Sequence, residues 1–159
     1  MLLRSLLIGL ISGARSLTPI AVVANAARHG QLPRGNGALP FLGSAPVQAA
    51  TSALAVGEVL GDKMKSAPDR IVLAGLIARV ITGAVAASAL APRRQRKAAM
   101  ALGAIGAIAG SYPTFHLRMK ALRRFGQTST GFVEDAITLG LATAVVHGGR
   151  GRDTRAMLR

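Results

Sequence analysis

Residues 71–91, IVLAGLIARVITGAVAASALA, form an apolar run with one ionisable side chain, Arg79, near its middle. A helix needs about 20 apolar residues to cross the hydrocarbon core of a bilayer. A charge at the centre of such a helix costs roughly 2.5–3.5 kcal/mol on insertion scales. Length and charge together constrain the fold. The run belongs in a membrane only if Arg79 turns toward other protein groups or water.

Four more apolar runs accompany it, at about residues 5–27 (interrupted at 13–19), 45–60, 98–117 and 132–146. The expected architecture is all-α: a polytopic membrane bundle of about five apolar segments, in one domain over residues 1–159, with a short basic tail from about 148. The segments at 45–60 and 132–146 are short and carry acids at one end, so they are expected to tilt or to enter without fully crossing. Arg4 and the SGA at 12–14 resemble a signal peptide, but the apolar stretch before Ser12 is too short, and a retained first helix is expected. Residues 29–43 read as an irregular surface connection, and residues 65–70, KSAPDR, as a tight turn.

The formal net charge is +14. Its distribution argues against a nucleic-acid partner. The basic residues cluster between apolar runs, around Lys63, Arg93, Arg118 and Arg150, as in the loops of membrane proteins. Stacking aromatics are scarce. The expected partner is the lipid bilayer, and the expected location is the bacterial inner membrane, crossed several times. Loop charges nearly balance if all five segments cross. They become biased if the fifth returns to its own side, so the positive-inside rule favours a returning fifth element.

Ionisable residues inside these runs are the candidate site. Arg15 sits in SGARSLTP, residues 12–19, where Gly13 and Pro19 predict a helix break. Pro19 would oppose the Arg15 carbonyl, while Ser16 and Thr18 can satisfy backbone groups exposed by the break. Glu58 and Asp62 share one helix face at i, i+4, and Arg79 is their natural partner. Glu134 and Asp135 are adjacent and diverge by about 100° around a helix, so one is expected to face the interior and the other a boundary or a second partner. ARSLTP at 14–19 and ARVITG at 78–83 align, each followed downstream by acids, which suggests an internal repeat and adds Thr82 to the candidates.

Residues 98–117 carry a second pattern. Ala99, Gly103, Ala107 and Ser111 recur every four residues, with Gly106 and Gly110 beside them. Such a stripe lets helix backbones approach closely. Internal packing is its expected use, and a homodimer seam the alternative. Pro113 is expected to end or kink that helix.

Gly13-x-Arg15-Ser16-x-x-Pro19, Gly57-Glu58-x-x-x-Asp62-Lys63 leading to Pro68, Arg79 with Gly83, and Glu134-Asp135 together resemble a family of small bacterial inner-membrane proteins catalogued as domain of unknown function 4126. The resemblance covers about residues 5–146. It implies a multi-pass membrane protein and no particular activity.

The expected function is a small transporter or channel using buried Arg/Glu/Asp pairs at the broken helix. The alternative is a structural or assembly protein whose charges only fix helix packing. A lipid head-group enzyme is less favoured, because the chain carries no P-loop, Gly-x-Ser-x-Gly or His-Glu-x-x-His. His29, His116 and His147 lie at segment ends and read as interface residues. No catalytic residue, metal site or cofactor is expected.

Overall fold

A computed structural model of the chain describes residues 1–61 and 73–148. Six α-helices account for most of them: α1 (Leu2–Ala14), α2 (Leu17–Arg28), α3 (Ala45–Gly61), α4 (Leu73–Ser88), α5 (Arg96–Phe125) and α6 (Gln127–His147). No strand occurs among the described residues. Among the described residues, two stretches are long and apolar enough to cross a membrane, Arg93–Arg124 and Ser129–His147. The turn at 65–70, Asp62 and the tail beyond Gly148 lie outside the described residues.

The first apolar run is not one kinked helix. Arg4, in the first turn of α1, donates to the carbonyls of Val145 (2.8 Å from Nε) and Val146 (2.5 Å from Nη2) at the end of α6. Gln31, just past α2, meets His147 Nε2 at 2.9 Å through its Oε1. The outer ends of α1 and α2 therefore lie against the same end of α6. The chain runs in along α1, turns at Arg15–Ser16 and runs back along α2. The first run thus doubles back on itself within the chain. The fifth run is α6, which begins earlier than expected and lies antiparallel to α5. One residue, Gly126, joins those two helices at φ 79° and ψ 167°, a backbone region essentially reserved for glycine.

Pro113 does not end its helix. α5 continues through it for three more turns, and hydroxyls serve nearby carbonyls: Ser111 Oγ donates to Ala107 O (2.7 Å) and Thr114 Oγ1 to Gly110 O (2.5 Å). The connection at 29–43 is also more than a surface loop. It forms a 3-10 turn at Pro40–Gly43, buries Gly37 and Leu42, and pairs with the α4–α5 link through Gly37 N–H to Ala91 O (2.7 Å) and Arg93 N–H to Gly35 O (3.0 Å).

Alanine and glycine dominate the apolar content, so the core is built on backbone proximity. α1, α4 and α5 meet along the small-residue stripe. Gly103 packs against Gly9 and Gly83, and Gly106 against the Leu6 and Leu10 backbone, while Ala99, Ala107 and Ser111 are buried. The stripe is thereby used within the chain. A Cβ on Gly106 would lie 2.7 Å from the Leu6 carbonyl oxygen, and one on Gly13 would lie 2.6 Å from the Gly110 carbonyl carbon. Gly13→Ala should destabilise the protein by about 1–3 kcal/mol, since the added atom would meet the α5 backbone at Ala107, Gly110 and Ser111, which yields little. Gly57 on α3 meets nothing within 4 Å, so Gly57→Ala should be neutral or slightly stabilising. Thermal melts of both variants in detergent, followed by circular dichroism, check this pair.

Candidate functional site

The turn between α1 and α2 places a charge where neither helix can shield it. α1 stops at Ala14, and Arg15 takes an extended conformation (φ −136°, ψ 119°) before α2 begins at Leu17. The break therefore precedes Pro19. That proline is the third residue of α2, where a helix N–H has no intrahelical acceptor anyway, so its missing donor costs little. It does not oppose the Arg15 carbonyl within a continuous helix, as the sequence had suggested.

Helix starts expose backbone N–H groups and a partial positive charge. Here α3 supplies the answering anion. Glu58 Oε1 accepts from Ser16 N (2.9 Å) and Ser16 Oγ (2.8 Å), and Glu58 Oε2 accepts from Leu17 N (2.9 Å). Ser16 is the residue flanking α2, yet its hydroxyl does not cap its own helix; it adds a third donor to the imported carboxylate. Thr18 is buried in the same first turn.

Arg15 is 0% exposed. Its guanidinium forms a salt bridge with Asp135 and stands 4.0 Å from Glu134, both on α6. Glu134 also accepts from Arg118 of α5 at 2.6 Å. Both oxygens of Asp135 are shut off from solvent. Among the described residues, Arg15 thus meets the two acids of α6, in the other half of the chain. Both adjacent acids of α6 reach the cluster: Asp135 meets Arg15, and Glu134 finds a second partner in Arg118.

Arg79 on α4 is 7% exposed. Glu58 and Glu134 attract its charge, and Arg15 repels it. Thr82 donates to Ala78 O (2.8 Å) within α4 and so serves its own helix rather than the cluster. The two aligned segments also differ in backbone. ARSLTP spans the break, whereas ARVITG lies inside unbroken α4. The difference has a physical source: the first segment has Pro19 and a carboxylate waiting for its freed N–H groups, and the second has Gly83 in close contact with α5.

Arg118 is the participant the sequence concealed. Read as part of a loop after Pro113, it is in fact on α5 with its side chain 9% exposed. Its signal was the helical spacing of Thr114, Leu117, Arg118 and Ala121, legible once Pro113 is allowed inside a helix. Beside it, an apolar groove of about 830 Å³ runs between α1, α5 and α6. Arg118 and Glu134 line this groove, while Arg15 and Glu58 do not. Among the described residues no group of three or more His, Asp or Glu could hold a metal ion.

Truncating one partner of a buried pair leaves the other charge uncompensated. Arg15→Ala should cost about 3–5 kcal/mol of stability. Adding Asp135→Ala should restore part of that loss. Arg94, exposed just before α5, should change stability by no more than about 0.5 kcal/mol as Arg94→Ala. Melting of the single and double variants in detergent tests the pairing.

No family model matches the chain, and neither any curated protein nor any solved structure matches it.

Proposed function

We propose that this chain is a small multi-pass membrane transporter or channel whose working element is the α1–α2 hairpin and the buried charges at its tip. Several observations support placement in a bilayer. Large apolar side chains are exposed along α3, α4, α5 and α6, among them Leu54, Ile77, Ile105 and Ile137. In water such surface is a liability; in lipid it is the expected exterior. Irregular backbone at membrane depth is tolerated where protein buries it, as at Arg15. The four-motif resemblance to a small inner-membrane family agrees with this placement. Arg28, Arg34, Arg93, Arg94, Arg96 and Lys97 gather at the His147 end, which favours a cytoplasmic position for that end.

The single observation that carries the transport reading is the Glu58 carboxylate on the start of α2. A turn needing only a cap could use the Ser16 side chain; this one holds a titratable charge brought from α3. Protonating Glu58 would remove the anion from Ser16 N–H and Leu17 N–H and unbalance Arg79 beside it. A proton or ion exchanged there would change the tip of the hairpin, and that is the class of coupling an intramembrane carboxylate provides.

A second reading rests on a different observation. Arg15 pairs with Asp135, Arg118 pairs with Glu134, and the groove beside them has apolar walls. A protein with that cluster could use it only to fix helix register. Proteoliposomes carrying an internal pH dye separate the two readings. The wild type should dissipate an imposed pH gradient, and Glu58→Gln should slow it about tenfold or more while still reconstituting and melting normally. Arg94→Gln should match the wild type. A Glu58→Gln rate equal to wild type would overturn the transport reading, and a wild type no faster than empty vesicles would favour the structural one.

A further inference from the structure

The groove between α1, α5 and α6 is not used by the hairpin tip. Its walls are apolar, and along α6 it extends from Ser129 to Val145, about 24 Å at 1.5 Å per residue. One leaflet of a bilayer's hydrocarbon core is about 15 Å thick, so an extended acyl chain fits its length. The two ends of the groove differ. Near Val145 it is lined by aliphatic side chains, including Leu7 and Leu141. At the other end stand the hydroxyls of Ser129 and Thr130, and Thr130 Oγ1 is buried without a hydrogen-bond partner among the described residues.

The same end is basic. On α5 the groove is lined by Thr114, Leu117, Arg118 and Ala121, and the next position on that helical face is Arg124. Arg124 is exposed, as are its neighbours Lys120 and Arg123. An apolar slot that opens onto a cluster of cations complements an anionic amphiphile. A second copy of the chain complements it poorly: at a formal net charge of +14 with six acids in all, it has few carboxylates to offer.

We propose that this groove holds the acyl chains of an anionic membrane lipid, whose headgroup rests on Arg124 with Lys120 and Arg123 beside it. The proposal rests on the membrane placement above and not on transport. The headgroup seat is the last turn of α5, at the same end of the groove as Ser129 and Thr130.

The test uses the full chain in detergent, offered phosphatidylglycerol and phosphatidylcholine with the same acyl chains, with bound lipid read by native mass spectrometry. Phosphatidylglycerol should be retained about tenfold or more over phosphatidylcholine, and the Lys120→Gln/Arg123→Gln/Arg124→Gln variant should lose that preference. Arg93→Gln/Arg94→Gln, at the opposite end, should keep it. Ala121→Phe, which fills the slot and leaves the basic rim intact, should lower retention of both lipids, and it stands in if the triple variant does not fold. Equal retention of the two lipids by the wild type, or unchanged retention in Ala121→Phe, would overturn the proposal. The chain has no cysteine, so a nitroxide on Ile137→Cys reports from the groove alone. Dipolar broadening between copies at that site would also overturn it, by showing the groove to be a chain–chain interface. The pH-gradient assay in vesicles of neutral lipid is independent of these outcomes, so either reading can fall without the other.

Discussion

Removing a guanidinium from water costs several kcal/mol, and Arg15 has no exposed surface over which to recover it. Much of the architecture follows from that demand. α6 must bring Asp135 to the tip of the hairpin, and Glu134 comes with it as the next residue. Glu134 then needs a second cation, which holds α5 helical beyond Pro113 until Arg118 is level with it. Arg79 and Glu58 extend the balance to α4 and α3. Three cations and three anions thereby connect every helix of the bundle through the region where α1 gives way to α2.

Electrostatics of this kind is effective only at short range, and the glycines set the range. The backbones of α1, α4 and α5 approach until no Cβ would fit between them at Gly13, Gly103 or Gly106. A chain poor in large side chains cannot define its helix positions by interlocking bulk. Close backbone contact does so instead, and it holds the charges of α4 and α5 near the hairpin tip. The stripe on α5 and the cluster at the tip are parts of one arrangement.

The sequence showed which residues mattered better than it showed where they meet. Arg15, Arg79, Glu58, Glu134 and Asp135 stand out because each is expensive in its apolar surroundings, and five apolar runs could be drawn close to the observed helices. The pairing was not legible. Local spacing joins Glu58 to Asp62 and, one helix on, to Arg79, but it cannot join Arg15 to Asp135, which depends on α1 turning back at its own end. The break expected at 13–19 falls within that stretch, at Arg15–Ser16, before Pro19 and where Glu58 can reach the freed N–H groups. One local rule misled. Pro113 argued against a helix beyond it, but α5 continues through it to Phe125, and Arg118 was hidden as a result.

The contact between Arg4 and the end of α6 joins residues 141 positions apart. For a chain made from its N-terminus, that separation orders events in time. The hairpin is made before α6, carrying an arginine at its tip whose partners on α6 have not yet been synthesised. An uncompensated charge is costly wherever water is excluded, so the hairpin tip can settle only once α6 brings Asp135 to it. Loss of α6 would therefore leave the turn between α1 and α2 without the anions that hold it.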